Sequence, residues 1–179
     1  MPRRMSLDNI TSGRIERPYR LLVYGPPGVG KSTFAADMPS PVFIPVETGS
    51  DELDVARLPQ PRDWSELMEA VHVLNVGDHS FRTVVIDTID HLERLVWSEV
   101  CRSCKVDSIE DIPFSKGYTH ALELFQRLGA GLDALRDRKG MHIVLLGHAV
   151  TVTVQNPEGA DYSKYTLKMH KSAAAFWKE

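Results

Sequence analysis

"YGPPGVGKST", Tyr24 to Thr33, fits the pattern G-x-x-x-x-G-K-[ST], with Gly25, Gly30, Lys31 and Ser32 in the fixed positions. Each residue type has a physical task in that pattern. Glycines let backbone N–H groups close around an anion with no Cβ in the way. Lys31 is placed to reach β/γ-phosphates as a point charge, and Ser32 to offer its hydroxyl to Mg²⁺. The helix predicted beneath them aims its positive N-terminal end at the phosphates. The run Gly25, Pro26, Pro27, Gly28, Val29, Gly30, Lys31, Ser32 and Thr33 is therefore a candidate binding loop for a nucleoside triphosphate. Before it, "YRLLVY" (Tyr19 to Tyr24) is a short apolar and aromatic run suited to a buried strand. The context is strand, loop, helix.

Working outward, 179 residues with 42% hydrophobic and 25% charged content suit one globular domain with a sizeable core, residues 19–179. The net charge of −3 and pI of about 6.2 exclude the overall basic footprint of a nucleic-acid-binding domain, whose pI lies above about 9. Any nucleic-acid contact must be local. Residues 1–18, "MPRRMSLDNITSGRIERP", read as a flexible basic lead-in, with a basic arm touching phosphates as the alternative. They contain no apolar run long enough for a signal peptide or membrane span, which predicts a cytoplasmic protein. Cys101 and Cys104 form a C-x-x-C without a second ligand pair, so two reduced thiols one turn apart on a helix are expected.

Strands and helices alternate. Val42 to Val46 reads as a second strand ending at Glu47. In "RDWSELMEAVHVL", Trp64, Leu67, Met68, Val71 and Leu74 share a helical face, with Asp63 and Glu66 in capping-box spacing. "RTVVIDTID" is a third strand running into Asp87, followed by the helical "HLERLVWSEVCRSC". A further helix, "GYTHALELFQRLGAGLDALRD", carries Tyr118, Leu122, Phe125, Gly129 and Leu132 along one stripe, and "MHIVLLGHA" is a fourth strand ending at His148. This order implies parallel βαβ units in an α/β layered domain, a mostly parallel sheet flanked by helices. The period-two run after His148, the turn cluster Asn156 to Gly159 and a second extended run predict an appended C-terminal β-hairpin.

Asp87 at the end of its β-run is placed to support Mg²⁺. A GTPase needs D-x-x-G and N-K-x-D motifs, which the chain lacks; ATP is therefore the expected nucleotide. In ATPases of the AAA+ type a water-polarising Glu follows the metal Asp, and here Thr88 stands there. Glu47, at the carboxyl edge of the sheet where ligands of open α/β folds bind, is the candidate general base. His148 is the candidate reporter of the γ-phosphate.

Together, "GPPGVGKST", the Glu-ended strand "VFIPVETGSD", "VVIDTID" and "IVLLGHA" followed by a hairpin resemble the RecA-like core ATPases. More narrowly, the chain is similar to phage-encoded AAA-domain ATP-binding proteins that act in single-strand annealing or recombination; "SIEDIPFSKGYTHALELFQRL" is similar to a stretch typical of that group. The resemblance runs from about Tyr19 to the C-terminus. It implies that Lys31 and Ser32 bind phosphate and Mg²⁺, Asp87 supports the metal, Glu47 is the base and His148 the γ-phosphate sensor. It further implies a homo-oligomer with ATP between neighbours, single-stranded DNA and phage recombination or single-strand-binding proteins as partners, and a bacterial host's cytoplasm. RecA-like cores have a fifth strand beside the phosphate-loop strand; either "AAAFWKE" begins it or the chain is truncated.

Single-strand binding needs a basic groove with aromatic platforms. Lys164, Tyr165, Lys168 and Lys171, with Tyr162 and His170 near, supply both residue types at the hairpin's end, although a merely solvated outer face fits them equally. A nucleotide-dependent switch or assembly ATPase that touches no DNA is the alternative function, favoured by the acidic net charge. A small-molecule kinase ranks last, because no Arg-rich lid stands out.

Overall fold

The computed structural model describes residues 6–49 and 52–179. Residues 1–5 of the basic lead-in, and Ser50 and Asp51 of the quoted "VETGSD", lie outside the described residues. In chain order the elements are β1 (Arg20–Gly25), α1 (Lys31–Ala36), β2 (Pro41–Pro45), β3 (Ala56–Arg57), α2 (Trp64–Val76), β4 (Thr83–Asp87), α3 (Ile89–Cys104), α4 (Lys116–Lys139), β5 (His142–Val154), β6 (Tyr162–Leu167) and α5 (Lys171–Lys178).

The strands form one sheet in the order β1-β5-β4-β2-β3, all parallel, with β6 antiparallel on β5. The expected mostly parallel α/β sheet is thus present. It places β5 between the phosphate-loop strand and the strand that ends in Asp87. Because the register pairs Gly25 with His148 and Pro45 with Asp87, the strand ends line up along one carboxyl edge.

Each strand alternates its side chains between two unequal cores. Val42, Ile44, Val84, Ile86, Ile143 and Leu145 face a thick layer built by α2, α3, α4 and α5. Phe43, Val85, Val144 and Leu146 face a thin layer around Ala35 of α1. Strands buried on both faces read as continuous apolar runs, which is why β2, β4 and β5 were legible. The stripe of α4 lies slightly off the expected one. Ala121, Phe125, Leu128, Gly129, Leu132 and Leu135 are buried, whereas Leu122 is only half-buried.

Two expectations are corrected and one, the hairpin, is sharpened. The capping box of α2 is half formed: Asp63 accepts from the Glu66 N–H at 2.9 Å, but the Glu66 carboxylate turns to Arg62 instead of closing back on Asp63. The expected C-terminal hairpin is present, and its first arm, Ala149 to Val154, continues the fourth strand without a break as the distal half of the 13-residue β5. Finally, "AAAFWKE" begins no fifth strand. Alanine is the strongest helix former, and Ala173, Ala174 and Trp177 bury one helical face of α5, with Trp177 edge-on to Phe125 at 6.0 Å.

Residues 6–18 are almost wholly exposed, with one 3₁₀ turn at Leu7–Asn9. Cys101 and Cys104 are free thiols on α3, as expected, and burial followed by nearby carboxylates pushes the Cys101 thiol up. Among the described residues no helix is long and apolar enough to cross a membrane.

Candidate functional site

The loop after β1 turns back on itself through Gly28 and Gly30, whose φ of +76° and +91° lie in the left-handed region that residues with a Cβ avoid. This winding buries Lys31, and its Nζ donates to the carbonyls of Gly25 at 3.2 Å and Pro26 at 3.0 Å. α1 is only six residues long, so its dipole is a minor contributor. The loop N–H groups and Lys31 carry the positive character.

Asp87, 2% exposed, closes β4 beneath this loop, and the Ser32 hydroxyl donates to its Oδ2 at 2.9 Å. Burial raises the Asp87 pKa, offset in part by the Ser32 hydrogen bond and by Lys31. A hydroxyl beside a carboxylate is a set of hard oxygen donors, which fits Mg²⁺ held largely through its own waters.

Glu47 is held at the same edge by backbone geometry. The N–H groups of Val46 and Glu47 both donate to the Asp87 carbonyl, at 2.6 Å and 3.2 Å, which fastens the end of β2 to the end of β4. Its carboxylate meets two imidazoles: His91 Nδ1 lies 2.9 Å from Oε2, and His148 Nε2 lies 3.9 Å from Oε1. His148 is clamped by Asp90, whose two oxygens accept from the His148 backbone N–H at 2.9 Å and ring Nδ1 at 3.0 Å. Burial pushes the Asp90 carboxyl up, but the hydrogen bonds from His148 and Thr88 outweigh it and hold the pKa below the ordinary value. Lys31, Ser32, Glu47, Asp87 and His148 are thus all walls of one cleft of about 370 Å³.

The hairpin residues do not converge in this way. Period-two alternation puts Tyr162 and Lys164 on one face of β6 and Tyr165 on the other, with Leu167 anchoring the latter face in the core. Lys168 and Lys171 are exposed, but His170 is not an open platform: its ring stacks on Tyr118 at 3.9 Å and its N–H donates to buried Glu93 at 3.0 Å. The root of the hairpin does meet the cleft, because the Lys168 N–H donates to the His148 carbonyl at 2.8 Å.

Two groupings go beyond the expectations from sequence, the second of them taking in Arg14 and Arg17 of the basic lead-in. His91 and Asp90 sit in the first turn and a half of α3 and reach Glu47 and His148. At the opposite, amino edge of the sheet, Arg14, Arg17, Arg20, Arg82, Arg136 and His142 line a cleft of about 630 Å³. The chain before β1 is docked there: Arg136 Nε donates to the Pro18 carbonyl at 3.0 Å, and the Tyr19 N–H to His142 Nδ1 at 2.9 Å.

A family model described as an AAA domain matches residues 17–179. The chain belongs to the AAA domain family. No curated protein matches it. Membership makes it a P-loop ATPase of the AAA type, in keeping with the loop geometry above. Thr88, 1% exposed, directly follows Asp87, so no carboxylate stands at that position.

Proposed function

We propose that this protein binds ATP with Mg²⁺, hydrolyses it with Glu47 as general base, and couples nucleotide state to single-stranded DNA held by its hairpin, in recombination or strand annealing. The observation that carries this reading is the convergence of Lys31, Ser32, Asp87, Glu47 and His148 on one cleft whose far wall is hydrogen-bonded to the hairpin root.

On nucleotide entry, Lys31 exchanges its two carbonyl partners for phosphate oxygens, which offer it full charge instead of dipoles. Ser32 and Asp87 hold Mg²⁺, which when bound neutralises charge building on the β/γ-oxygens. Glu47 takes the proton of the attacking water. Its carboxylate is on a strand end tied by two N–H groups to Asp87, so base and metal ligand keep a fixed separation. His148, oriented by Asp90, presents Nε2 to the same space and reports an anion there, while its carbonyl anchors Lys168 N–H at the start of the DNA-facing segment. Lys164, Tyr165, Lys168 and Lys171 supply charge and stacking to a strand that contacts both faces of the hairpin. A homo-oligomer brings neighbouring hairpins along one strand.

The second reading, a nucleotide-dependent switch without DNA, is favoured by the dispersion of Lys164 and Tyr165 over opposite faces and by the net charge of −3. The arginine cleft at the amino edge is the other place where a phosphate backbone fits. ATP hydrolysis with and without single-stranded DNA separates the two functions. Strong stimulation, with ATP and DNA tightening each other's binding by the same factor, is the expected result. ATP turnover indifferent to DNA favours the switch.

A further inference from the structure

Glu47, His91 and His148 each turn one ligand-type atom toward a common point, with all three atoms within 4.8 Å of one another. The His91 Nδ1 to Glu47 Oε2 separation is 2.9 Å and the His148 Nε2 to Glu47 Oε1 separation 3.9 Å. The two separations run to the two different oxygens of the carboxylate and are of the order of the roughly 3.3 Å between ligand atoms that sit about 2.0–2.1 Å from a tetrahedral ion. The two rings stand at 85° to each other, so they do not stack and their nitrogens approach from different directions.

The tautomer of His148 is fixed from behind. Asp90 can only accept, so Nδ1 carries a proton and Nε2 is the nitrogen left to face the Glu47 carboxylate. A cation placed between that nitrogen and the carboxylate, a proton or a metal ion, satisfies both. A carboxylate behind a histidine ligand, setting its tautomer and raising its basicity, is the outer-shell arrangement of zinc-binding histidines. Asp90, its side chain 4% exposed, provides it here. His91 Nδ1 lies 2.9 Å from both Glu47 Oε2 and the Thr88 hydroxyl, and an ion would take the place of the hydrogen shared there.

We propose that Glu47, His91 and His148 form a binding site for a divalent transition-metal ion of the zinc class, distinct from the oxygen-donor pair Ser32 and Asp87. Two imidazoles and one carboxylate suit Zn²⁺, Co²⁺ or Fe²⁺ and disfavour Mg²⁺, which prefers an all-oxygen octahedron. The remaining coordination position opens into the nucleotide cleft, where a water or a phosphate oxygen can enter. An ion there takes up the carboxylate assigned above as base, so occupancy withdraws Glu47 from hydrolysis; this consequence alone rests on the proposed function.

Co²⁺ is the probe, added without nucleotide to the full chain carrying Cys101→Ser and Cys104→Ser, which removes the thiol pair as a competitor. The expected result is one Co²⁺ per chain at micromolar concentration, with tetrahedral visible bands displaced by Zn²⁺ and not by Mg²⁺. His91→Ala and His148→Ala should each abolish the bands, and Asp90→Asn should weaken affinity by about 10–100-fold while keeping their shape. Absence of tetrahedral bands, or bands that survive His91→Ala and His148→Ala, overturns the site. Should Zn²⁺ bind as expected yet leave Mg²⁺-ATP turnover untouched, the metal site stands and the assignment of Glu47 as base falls.

Discussion

The two ends of β5 are built on different terms. Beside its middle, at His148, side chains from α1, β4, α3 and the segment just after β2 meet beside one cleft and are joined by hydrogen bonds and ion pairs among Ser32, Asp87, Asp90, His148, His91 and Glu47. Beyond it, along Ala149–Val154 and β6, Tyr162 and Lys164 lie exposed on one face and Tyr165 on the other, without a comparable side-chain network among them. Chemistry needs fixed distances, so it belongs to the first region. Binding a long flexible polymer tolerates dispersion, and of these two regions the second offers the adaptable surface.

The largest expected effect breaks the first region at its charge. Lys31→Ala should weaken ATP binding by at least about 10–100-fold, the scale of one charged hydrogen bond of roughly 1.5–3 kcal/mol, and remove hydrolysis. Fluorescent-nucleotide titration checks it, with an unchanged circular dichroism spectrum to show that the fold persists. Next comes the joint between the regions. A Cβ on Gly147 would lie 2.5 Å from Leu167 Cδ1, so Gly147→Ala should destabilise the protein by about 1–3 kcal/mol through overpacking at the hairpin root. Thermal melting measures that, and loss of DNA stimulation at a temperature where ATP still binds shows that the root couples the two ends.

A smaller effect sharpens the role of the second region. Lys164, Lys168 and Lys171 changed together to Ala should lower the salt slope of single-strand binding by about 0.7 for each phosphate that the lysines no longer neutralise, and leave DNA-free ATP binding unchanged. A slope moved instead by Arg14, Arg17 and Arg82 changed to Ala would transfer the DNA to the amino-edge cleft.

The smallest lies at that cleft. Burial, then the charge of Arg82, lowers the His142 pKa, and its neutral Nδ1 accepts the Tyr19 N–H. A depressed folded pKa means that this stability is present above the ordinary value of about 6.5 and is lost as pH falls through the folded value. His142→Asn keeps an acceptor without a titrating ring, so its melting temperature should fall less between neutral and mildly acidic pH than the parent's.

What the sequence made legible was local. The phosphate loop is a continuous pattern whose geometry is set by its own glycines, and Asp87 and Glu47 are strand ends that period and composition mark. Asp90 was not legible in the same way, because its meaning lies 58 residues away at His148 and depends on β4 and β5 being neighbours. His91 looked like one more polar position on an amphipathic helix until the end of β2 was placed beside it. The arginine cleft joins Arg14 and Arg17 of the basic lead-in and Arg20 of β1 to Arg82 and Arg136, which lie far from them in the chain. On the hairpin, the sequence displays the basic and aromatic residue types, but the alternation that separates Lys164 from Tyr165 follows from the strand register.

The claim that matters most is that Glu47 activates the attacking water from the end of β2. Single-turnover hydrolysis by Glu47→Gln, with ATP binding measured on the same sample, tests it directly. The carboxamide keeps the shape, so ATP should bind as in the parent while the hydrolytic rate falls by about 10²-fold or more, the scale of a lost general base. Parent-like hydrolysis in Glu47→Gln would contradict it and send the search for the base to another side chain of the same cleft.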